Sequence, residues 1–386
     1  MEMLELLETM RSEQASVKRL FGGEGQRVRV GRHSPQYLAK LSEAVKLVAD
    51  VYNGKRPMHY LQEAMTTSDF PYLFGDILDR QVLASYREWP TTWQNYCKRG
   101  RVRDFRTVKR FGVYGADQVL GSVVGEKGEY PYEEINEDTP YSYAVSKYGR
   151  KIRFAWETMV NDDLDALKDQ PERLGRAARR SEEKFATQLF VDASGPHASF
   201  YTVGNANIVT GNPALSIAGL QTALEKLSSQ VDQNGEPIVI DTVELVYPPV
   251  LEVTAQNILN AITIEATEKG GTSARKLTLQ NWMKTTFRPN KNAYIPIVAS
   301  TANGNTSWFL FANPDNGRPA MELGFLIGHE EPEIFMKTPN QTRVGGGSDA
   351  MDGDFETDAI EHKLRHVFGG TRMDPKMTVG SNGSGS

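Results

Sequence analysis

The sequence lacks most of the features that mark secreted proteins and membrane proteins. Its 386 residues include one cysteine, Cys97, which excludes an internal disulfide framework and a cysteine-rich zinc site. The N-terminal segment carries Glu2, Glu5 and Glu8 among its leucines, so it lacks the basic start and the unbroken apolar run of a secretory signal. No apolar run approaches the roughly 20 residues of a membrane-spanning helix. We therefore expect a soluble protein that is made in the cytoplasm and does not bind membranes.

Catalytic and metal-binding signatures are also scarce. No serine lies in a G-x-S-x-G elbow, and the glycine-rich GGEGQRVRVG follows no strand and lacks the Lys-Ser/Thr pair of a phosphate loop. His329 has no second histidine at zinc-protease spacing. His362 and His366 have the spacing of zinc ligands on a helix, but the alternating pattern around them predicts a strand, where four residues span about 13 Å. Cys97 has no partner histidine in view and is interpreted as an ordinary thiol. We expect no cofactor, no metal and no enzymatic activity.

Charge is balanced over the whole chain but separated locally. The 44 basic and 49 acidic residues give a formal net charge of −5, which predicts no strong attraction to nucleic acid or membrane. Residues 98–110, however, hold seven basic residues and one acid, and residues 126–138 hold six acids and one lysine. Opposite patches on one chain favour a head-to-tail contact between copies, because each copy carries both halves. The predicted contact residues are Arg99, Arg101, Arg103, Arg106, Lys109 and Arg110 on the basic side and Glu126, Glu129, Glu133, Glu134, Glu137 and Asp138 on the acidic side.

An alternative for the basic run is nucleic-acid binding through the phosphate backbone. The run lacks the interleaved aromatic residues of a groove that stacks bases. We therefore favour the contact between copies.

The spacing of apolar residues predicts a mixture of helices and strands. Helices are predicted over residues 35–53, 70–90 and 215–228, and a buried strand over WFLFANP. Residues of about 104–154 are predicted to form two strands joined across the acidic run, and residues 355–368 a late strand. The C-terminal VGSNGSGS has the composition of a flexible tail. Trp89, Trp93 and Trp156 are predicted to be apolar anchors.

The segment ETMVNDDLDALKDQPERLGRAARRSEEKFATQLFV is the most informative part of the chain. We predict a short helix over 157–169 and a second, long helix that begins at Pro171, because proline is tolerated in the first turn of a helix. Leu174, Ala178 and Phe185 recur at helical spacing, whereas the arginines, Glu182 and Glu183 are predicted to cover the other faces. A long helix with a narrow apolar stripe acts as a spine, which fits a structural protein better than a compact enzyme.

Four segments, taken in chain order, resemble a known family. They are EAMTTSDFPYLFGDILDRQVLASYREWPTTW, then VRDFR with VVGEKGEYPYEEINED, then ETMVNDDLDALKDQPERLGRAARR, and finally LVYPPVLEVTAQNIL with WFLFANPDNGRPAMELGFLIGHEEPEI. On these segments, which cover about residues 63–370, the chain resembles the major capsid proteins of tailed bacteriophages, in the branch similar to the Mu-like major head subunit. The resemblance is one of pattern and order, because no segment is a catalytic signature.

The resemblance implies the Hong Kong 97-type capsid fold. This α+β fold has an N-terminal arm, an extended β-hairpin loop, a peripheral domain with a long spine helix, and an axial domain. The arm would be about 1–70 and the extended loop 111–150. The axial domain would be 213–345. The discontinuous peripheral domain would be 71–110, 151–212 and 346–386, with the spine helix at about 171–193.

The resemblance also implies a function without catalysis. Many copies would close as hexamers and pentamers into the icosahedral head, the virion capsid, in the bacterial host cytoplasm. Scaffold, portal and decoration proteins are possible partners, and double-stranded DNA would be packaged without sequence preference. The arm residues expected to face the DNA are Lys18, Arg19, Arg27, Arg29 and Arg32. Two alternatives remain, an encapsulin-like compartment with the same fold but no DNA, and a soluble metal-dependent hydrolase using His329 or the pair His362 and His366.

Overall fold

The computed structural model describes the following parts of the chain: residues 35–52, 55–56, 60, 70–111, 113–114, 136–137, 141–154, 164–232, 235, 237–267, 276–315, 318–337, 340–342, 344 and 353–385. Several residues named above lie outside these ranges, namely Lys18, Arg19, Arg27, Arg29, Arg32, Glu126, Glu129, Glu133, Glu134, Asp138 and Trp156. Residues 157–163, predicted to begin a short helix, also lie outside them.

Helices and strands alternate irregularly along the chain, as expected for a protein of the α+β class. The helices are α1 (Pro35–Tyr52), α2 (Phe70–Glu88), α3 (Leu164–Phe190), α4 (Ile217–Ser228), α5 (Glu252–Asn260), α6 (Met283–Thr286) and α7 (Ile295–Val298). The strands are β1 (Lys98–Val102), β2 (Val108–Arg110), β3 (Val113–Tyr114), β4 (Asn136–Glu137), β5 (Tyr141–Tyr143), β6 (Ser146–Phe154), β7 (Val191–Asp192), β8 (Gly195–Pro196), β9 (Val243–Tyr247), β10 (Thr263–Thr267), β11 (Lys276–Gln280), β12 (Phe287–Lys291), β13 (Trp308–Ala312), β14 (Met321–Leu326), β15 (Glu333–Met336), β16 (Ile360–Arg372) and β17 (Thr378–Ser381).

The chain divides into two compact units. The first comprises Met1–Pro90, Lys147–Arg180 and His329–Val367, and the second comprises Thr91–Ser146, Ser181–Gly328 and Phe368–Ser386. Helix α3 and strand β16 each supply residues to both units, because their ranges cross a division point.

The first unit is built on the close packing of helices α2 and α3 beside strand β16. Val82, Tyr86, Leu174 and Ala178 form its apolar core together with Leu364. A side chain at position 175 would bring its Cβ to 2.6 Å from the carbonyl oxygen of residue 82, so glycine permits this approach. The Arg179 guanidinium lies 3.6 Å from the centre of the Tyr86 ring and donates a 2.6 Å hydrogen bond to that residue's carbonyl oxygen. The apolar stripe predicted on this part of the helix is confirmed.

The second unit contains a four-stranded sheet in the order β12-β9-β13-β17. Every residue of β13 is buried, as predicted for an apolar run with core on both faces. Its alternate side chains enter different clusters. Phe309 and Phe311 pack with Phe190, whereas Trp308 and Leu310 pack with the buried residues of helices α4 and α5.

A second sheet in this unit includes β1, which pairs in parallel with β14, and residues 368–372 of β16, which pair antiparallel with β14. Strand β1 is at the end of the sheet order. The pairing joins chain segments that are more than 200 residues apart, as Lys98 opposite Glu322 illustrates.

The prediction of two helices separated at Pro171 is wrong. Helix α3 is continuous over Leu164–Phe190, so Pro171 lies inside it. Proline in a helix interior costs about 3 kcal/mol or more because one backbone hydrogen bond is lost. Burial of Leu174 and Ala178 in one core and of Ala186 and Phe190 in the other offsets that cost. The helix ends at Phe190 instead of 193, because Val191 begins a short strand that pairs with Pro196.

The prediction of a flexible C-terminal tail is also wrong. Thr378–Ser381 forms β17, which pairs antiparallel with β13, and the side chain of Val379 is fully buried. Gly383 has a positive φ of 66° and abuts the carbonyl of Thr306, where no side chain fits. Glycine and serine are therefore used here for close packing, although their composition is typical of a linker.

Candidate assembly surface

A two-stranded ribbon begins in the second unit where the basic run ends. Strands β2 and β5 pair antiparallel, with Val108 opposite Tyr143 and Arg110 opposite Tyr141, and strands β3 and β4 form a separate antiparallel pair, with Val113 opposite Glu137 and Tyr114 opposite Asn136. The predicted ribbon is confirmed for these residues. The prediction that the second strand continues to residue 154 is wrong, because the ribbon pairing ends at Tyr143 and β6 pairs with β16 instead.

The root of the ribbon is held by one buried carboxylate. Glu322 on β14 is 3% exposed and accepts hydrogen bonds from Arg110 Nε at 3.0 and 3.3 Å and from the Tyr143 hydroxyl. Arg110 also donates from Nη2 to the carbonyl of Arg101 at 3.1 Å. The carboxylate lies against Gly100, where a side chain would collide with it. Glu322, Arg110 and Tyr143 therefore form a clamp that joins both ribbon strands to the sheet.

The electrostatics of this clamp favour its charged form. Burial alone would lower the pKa of Arg110, but the charge and the hydrogen bonds of Glu322 raise that pKa overall. Burial, together with the Glu322 carboxylate, raises the pKa of Tyr143 well above its ordinary value, so its hydroxyl remains a donor. Such charge-assisted bonds are stronger than bonds between neutral groups. Arg110, one of the predicted contact residues, is thus engaged within its own chain.

The remaining predicted contact residues of the basic run are exposed to solvent. Arg101, Arg103, Arg106 and Lys109 are all exposed, and so are the aromatic side chains of Phe105 and Phe111. Arg99 is also exposed, and its guanidinium lies 5.0 Å from the centre of the buried Phe325 ring. The basic run therefore presents exposed cations and two exposed phenylalanines within residues 99–111.

The acidic partner of this surface falls mostly outside the described residues. The backbone of Glu137 is described and pairs with Val113 in the ribbon. Contact between the acidic and basic runs remains a prediction.

Two buried carboxylates on α3 were missed by the sequence analysis, which assigned them to outer faces. Glu182 is 0% exposed and accepts a hydrogen bond from Trp93 Nε1 at 3.2 Å, and Glu183 is 9% exposed. Glu183 accepts from the backbone N–H of Thr92 at 3.1 Å, from its hydroxyl, and from the N–H of Trp93 at 3.4 Å. These donors lie at the start of a helical turn, Trp93–Asn95, whose first N–H groups lack partners within the turn. Burial raises the pKa of Glu183 more than these hydrogen bonds lower it.

The buried core beside Glu182 and Glu183 contains Trp93 and Cys97. Trp93 is fully buried, so the predicted anchor is confirmed there, whereas Trp89 is 40% exposed and is not one. Burial and the nearby Glu183 raise the pKa of Cys97 well above its ordinary value. A protonated, buried thiol is a poor nucleophile, which agrees with the interpretation of Cys97 as an ordinary thiol.

The histidines do not converge on a site. His362 and His366 are buried on β16, which confirms the predicted strand, although it runs over Ile360–Arg372 instead of 355–368. His329 lies 2.5 Å from Glu333. Within the described ranges, no group of three or more His, Cys, Asp or Glu side chains is placed to hold a metal ion.

None of the described helices is both long enough and apolar enough to cross a membrane.

Comparison with known proteins identifies the family. A family model described as phage capsid protein matches residues 138–379, which is more than half of the chain. The chain belongs to this phage capsid protein family. It is a major capsid protein, which associates with copies of itself to form the shell of the virion.

No curated protein sequence matches the chain. Several solved structures are similar at low identity. The virus-like particle from Pyrococcus furiosus is 10% identical, with 80% of this chain and 99% of that chain covered and a TM-score of 0.43. The capsid of cyanophage P-SCSP1u is 13% identical, with 75% and 87% covered and a TM-score of 0.45. The holo-SrpI encapsulin complex from Synechococcus elongatus PCC 7942 is 11% identical, with 77% and 89% covered and a TM-score of 0.45.

Proposed function

We propose that the chain forms the icosahedral head of a tailed bacteriophage through contacts between the basic surface of one copy and the acidic run of the next. Hexamers and pentamers would assemble in the bacterial host cytoplasm, with scaffold, portal and decoration proteins as further partners. The shell would enclose double-stranded DNA, and the arm residues Lys18, Arg19, Arg27, Arg29 and Arg32 would face it. The protein acts by assembly and catalyses no reaction.

The separation of charge along the chain is the observation that carries this proposal. The basic residues lie at the ribbon root, up to Arg110, whereas the chain between the last described pair, Tyr114 and Asn136, contains Glu126, Glu129, Glu133 and Glu134. Complementary charges in two separate runs of one chain suit a contact between two copies, because each copy carries both halves.

The division into functional regions is part of the same proposal. We assign residues 1–70 to the arm, 111–150 to the extended loop and 213–345 to the axial domain, which would surround the five-fold and six-fold centres. The peripheral domain would combine 71–110, 151–212 and 346–386, with the spine being helix α3 over Leu164–Phe190.

The double substitution Glu133→Lys and Glu134→Lys tests the contact. We expect the yield of closed shells to fall by about tenfold or more, because a penalty of only about 1.4 kcal/mol per contact is repeated over many contacts. Sedimentation and electron microscopy of the expressed protein measure the yield. Adding Arg103→Glu and Arg106→Glu should restore part of it, since the attraction is then re-formed with the charges exchanged.

A matched control changes the net charge by the same amount at exposed acids elsewhere. Glu43→Lys with Glu356→Lys should leave assembly unchanged, because neither residue belongs to the acidic run. Normal shells from the Glu133 and Glu134 variant would contradict the proposed contact. Shells that contain a copurifying enzyme and no DNA would indicate an encapsulin-like compartment instead of a phage head.

A further inference from the structure

Arg372 is a half-buried cation whose side-chain partners are uncharged. It is the last residue of β16, and its Nη1 lies 2.7 Å from His197 Nδ1 and 3.0 Å from Ser199 Oγ. Within the described residues, no carboxylate is among its hydrogen-bond or ion-pair partners. Two other partly buried arginines of the same unit are paired with carboxylates, since Arg110 pairs with Glu322 and Arg318 pairs with Asp232. Partly buried charges are normally paired, so Arg372 is an exception that needs an explanation.

The pKa directions agree with this geometry. Burial lowers the pKa of Arg372, and no acidic neighbour compensates for it among the described residues. Burial also lowers the pKa of His197, and the Arg372 charge lowers it further, against a smaller opposing effect of Asp192. An anion placed beside both groups would reverse these directions, because it stabilises the charged form of each.

The loop that carries His197 and Ser199 is fixed by its own hydrogen bonds. The Asp192 carboxylate accepts from the N–H and hydroxyl of Ser194 at 2.7 and 2.6 Å and from the N–H of Ala198 at 2.8 Å. Its oxygens are therefore engaged with the loop. The His197 N–H donates to the carbonyl of Phe190 at 2.9 Å, which ties the loop to the end of helix α3. A loop that is already ordered pays little further entropy when it binds a ligand.

We propose that Arg372, His197 and Ser199 form a binding site for a phosphate-type oxyanion. The guanidinium supplies several N–H donors in a fork that matches phosphate, and Ser199 adds a hydroxyl donor. In the structure His197 Nδ1 accepts from Arg372 and, at 3.3 Å, from the N–H of Ser199. An anion that takes over the guanidinium frees Nδ1 to bind a proton, and His197 then supplies a second positive charge. The phosphate comes either from the backbone of packaged DNA or from free inorganic phosphate, since both present the same oxygens. This site lies outside the basic run and the arm, and it does not depend on the proposed contact between copies.

Histidine-selective NMR of the full-length unassembled subunit tests the site with sodium phosphate as the probe, at a pH near 6.5 and constant ionic strength. The His197 signal is assigned from its absence in the His197→Gln variant. We expect phosphate to move this signal, in a saturable way, towards the protonated form. Arg372→Gln should weaken phosphate binding by about tenfold or more, because a hydrogen bond to a charged group contributes about 1.5–3 kcal/mol. Arg318→Gln is the matched control and should bind phosphate normally.

Competition between DNA and phosphate for the His197 signal distinguishes the two sources of phosphate. If a short DNA duplex competes with phosphate for the same His197 signal, the site binds the DNA backbone; if only free phosphate binds, the ligand is the small anion. Ser199→Ala should weaken binding without affecting folding, because this side chain is exposed. No saturable shift in the wild-type protein would overturn the proposal. A His197 signal that is already shifted in assembled shells, and insensitive to phosphate, would also overturn it in favour of a carboxylate from a second copy.

Discussion

Replacing Glu322 by alanine is expected to lower the free energy of unfolding by about 3–5 kcal/mol. The change removes the acceptor shared by Arg110 and Tyr143, so a partly buried cation and a buried hydroxyl lose their partner together. Denaturant titration of the unassembled full-length subunit measures the loss. Glu322→Gln keeps the shape and one acceptor oxygen, and we expect it to lose less than the alanine variant.

The control for this experiment is Glu252→Ala, which removes an ion pair of similar length. Glu252 lies 3.0 Å from Lys291, but both side chains are more than 40% exposed, so the change should cost less than about 1 kcal/mol. Hydrogen exchange should also become faster at residues 108–110 and 141–143 in the Glu322→Ala variant, because the ribbon root is released. Equal losses from the two variants, with unchanged exchange at the ribbon, would show that the clamp does not hold the ribbon.

Replacing Glu244 by glutamine is expected to stabilise the protein at alkaline pH by about 2–3 kcal/mol. Glu244 lies on β9 and is 7% exposed, and burial raises the pKa of its carboxyl to about 7 although the Arg288 charge and the Asn290 amide lower it. Arg288 is directly opposite it on β12, and Phe311 is opposite it on β13. The carboxyl is therefore best accommodated when protonated, which a neutral glutamine imitates.

The sign of the pH dependence follows from the raised pKa. The contribution of Glu244 to stability is fully present below the ordinary pKa of the unfolded chain, near 4.5, and is lost as the pH rises through about 7. The free energy of unfolding of both proteins is to be measured between pH 4.5 and about pH 7. The difference between wild type and Glu244→Gln should grow as the pH increases over this range. Glu356→Gln, at an exposed position, should follow the wild type. A constant difference between wild type and Glu244→Gln at every pH would mean that Glu244 does not titrate in this range.

The elements that the sequence predicted well are those whose local signals agree with their packing. Helix α1 ends at Tyr52, just before Asn53 and Gly54, and α4 begins after Ser216, whose side chain accepts from the N–H of Gly219 at 3.1 Å. The buried strand at Trp308–Ala312 follows from its continuous apolar run. In these places propensity, capping and burial all favour one structure.

The failures arise where distant residues override a local signal. Pro171 indicates a helix start, but burial of the residues after it keeps a single helix. Glycines near the C-terminus indicate a linker, but their small size allows the backbone to approach Thr306 closely. Nothing in the local pattern of Glu182 and Glu183 reveals that the unpaired N–H groups of Thr92 and Trp93 require an acceptor. The basic run was predicted to form a contact surface. Arg110 instead pairs with Glu322, and this pairing depends on a residue 212 positions away in the sequence.

The pairing of the late strands with early ones has a consequence for the time at which the chain folds. Strand β1 needs Met321–Leu326 as its partner, β14 needs the end of β16, and β13 needs Thr378–Ser381. Such non-local contacts make folding slow, because the entropy of closing long loops is lost before the paired strands stabilise the chain. Neither sheet of the second unit is complete until the residues up to Arg372 and Ser381, respectively, have left the ribosome. We therefore expect a nascent chain with exposed apolar strands, which requires protection by chaperones during synthesis at the high concentrations of an infected cell.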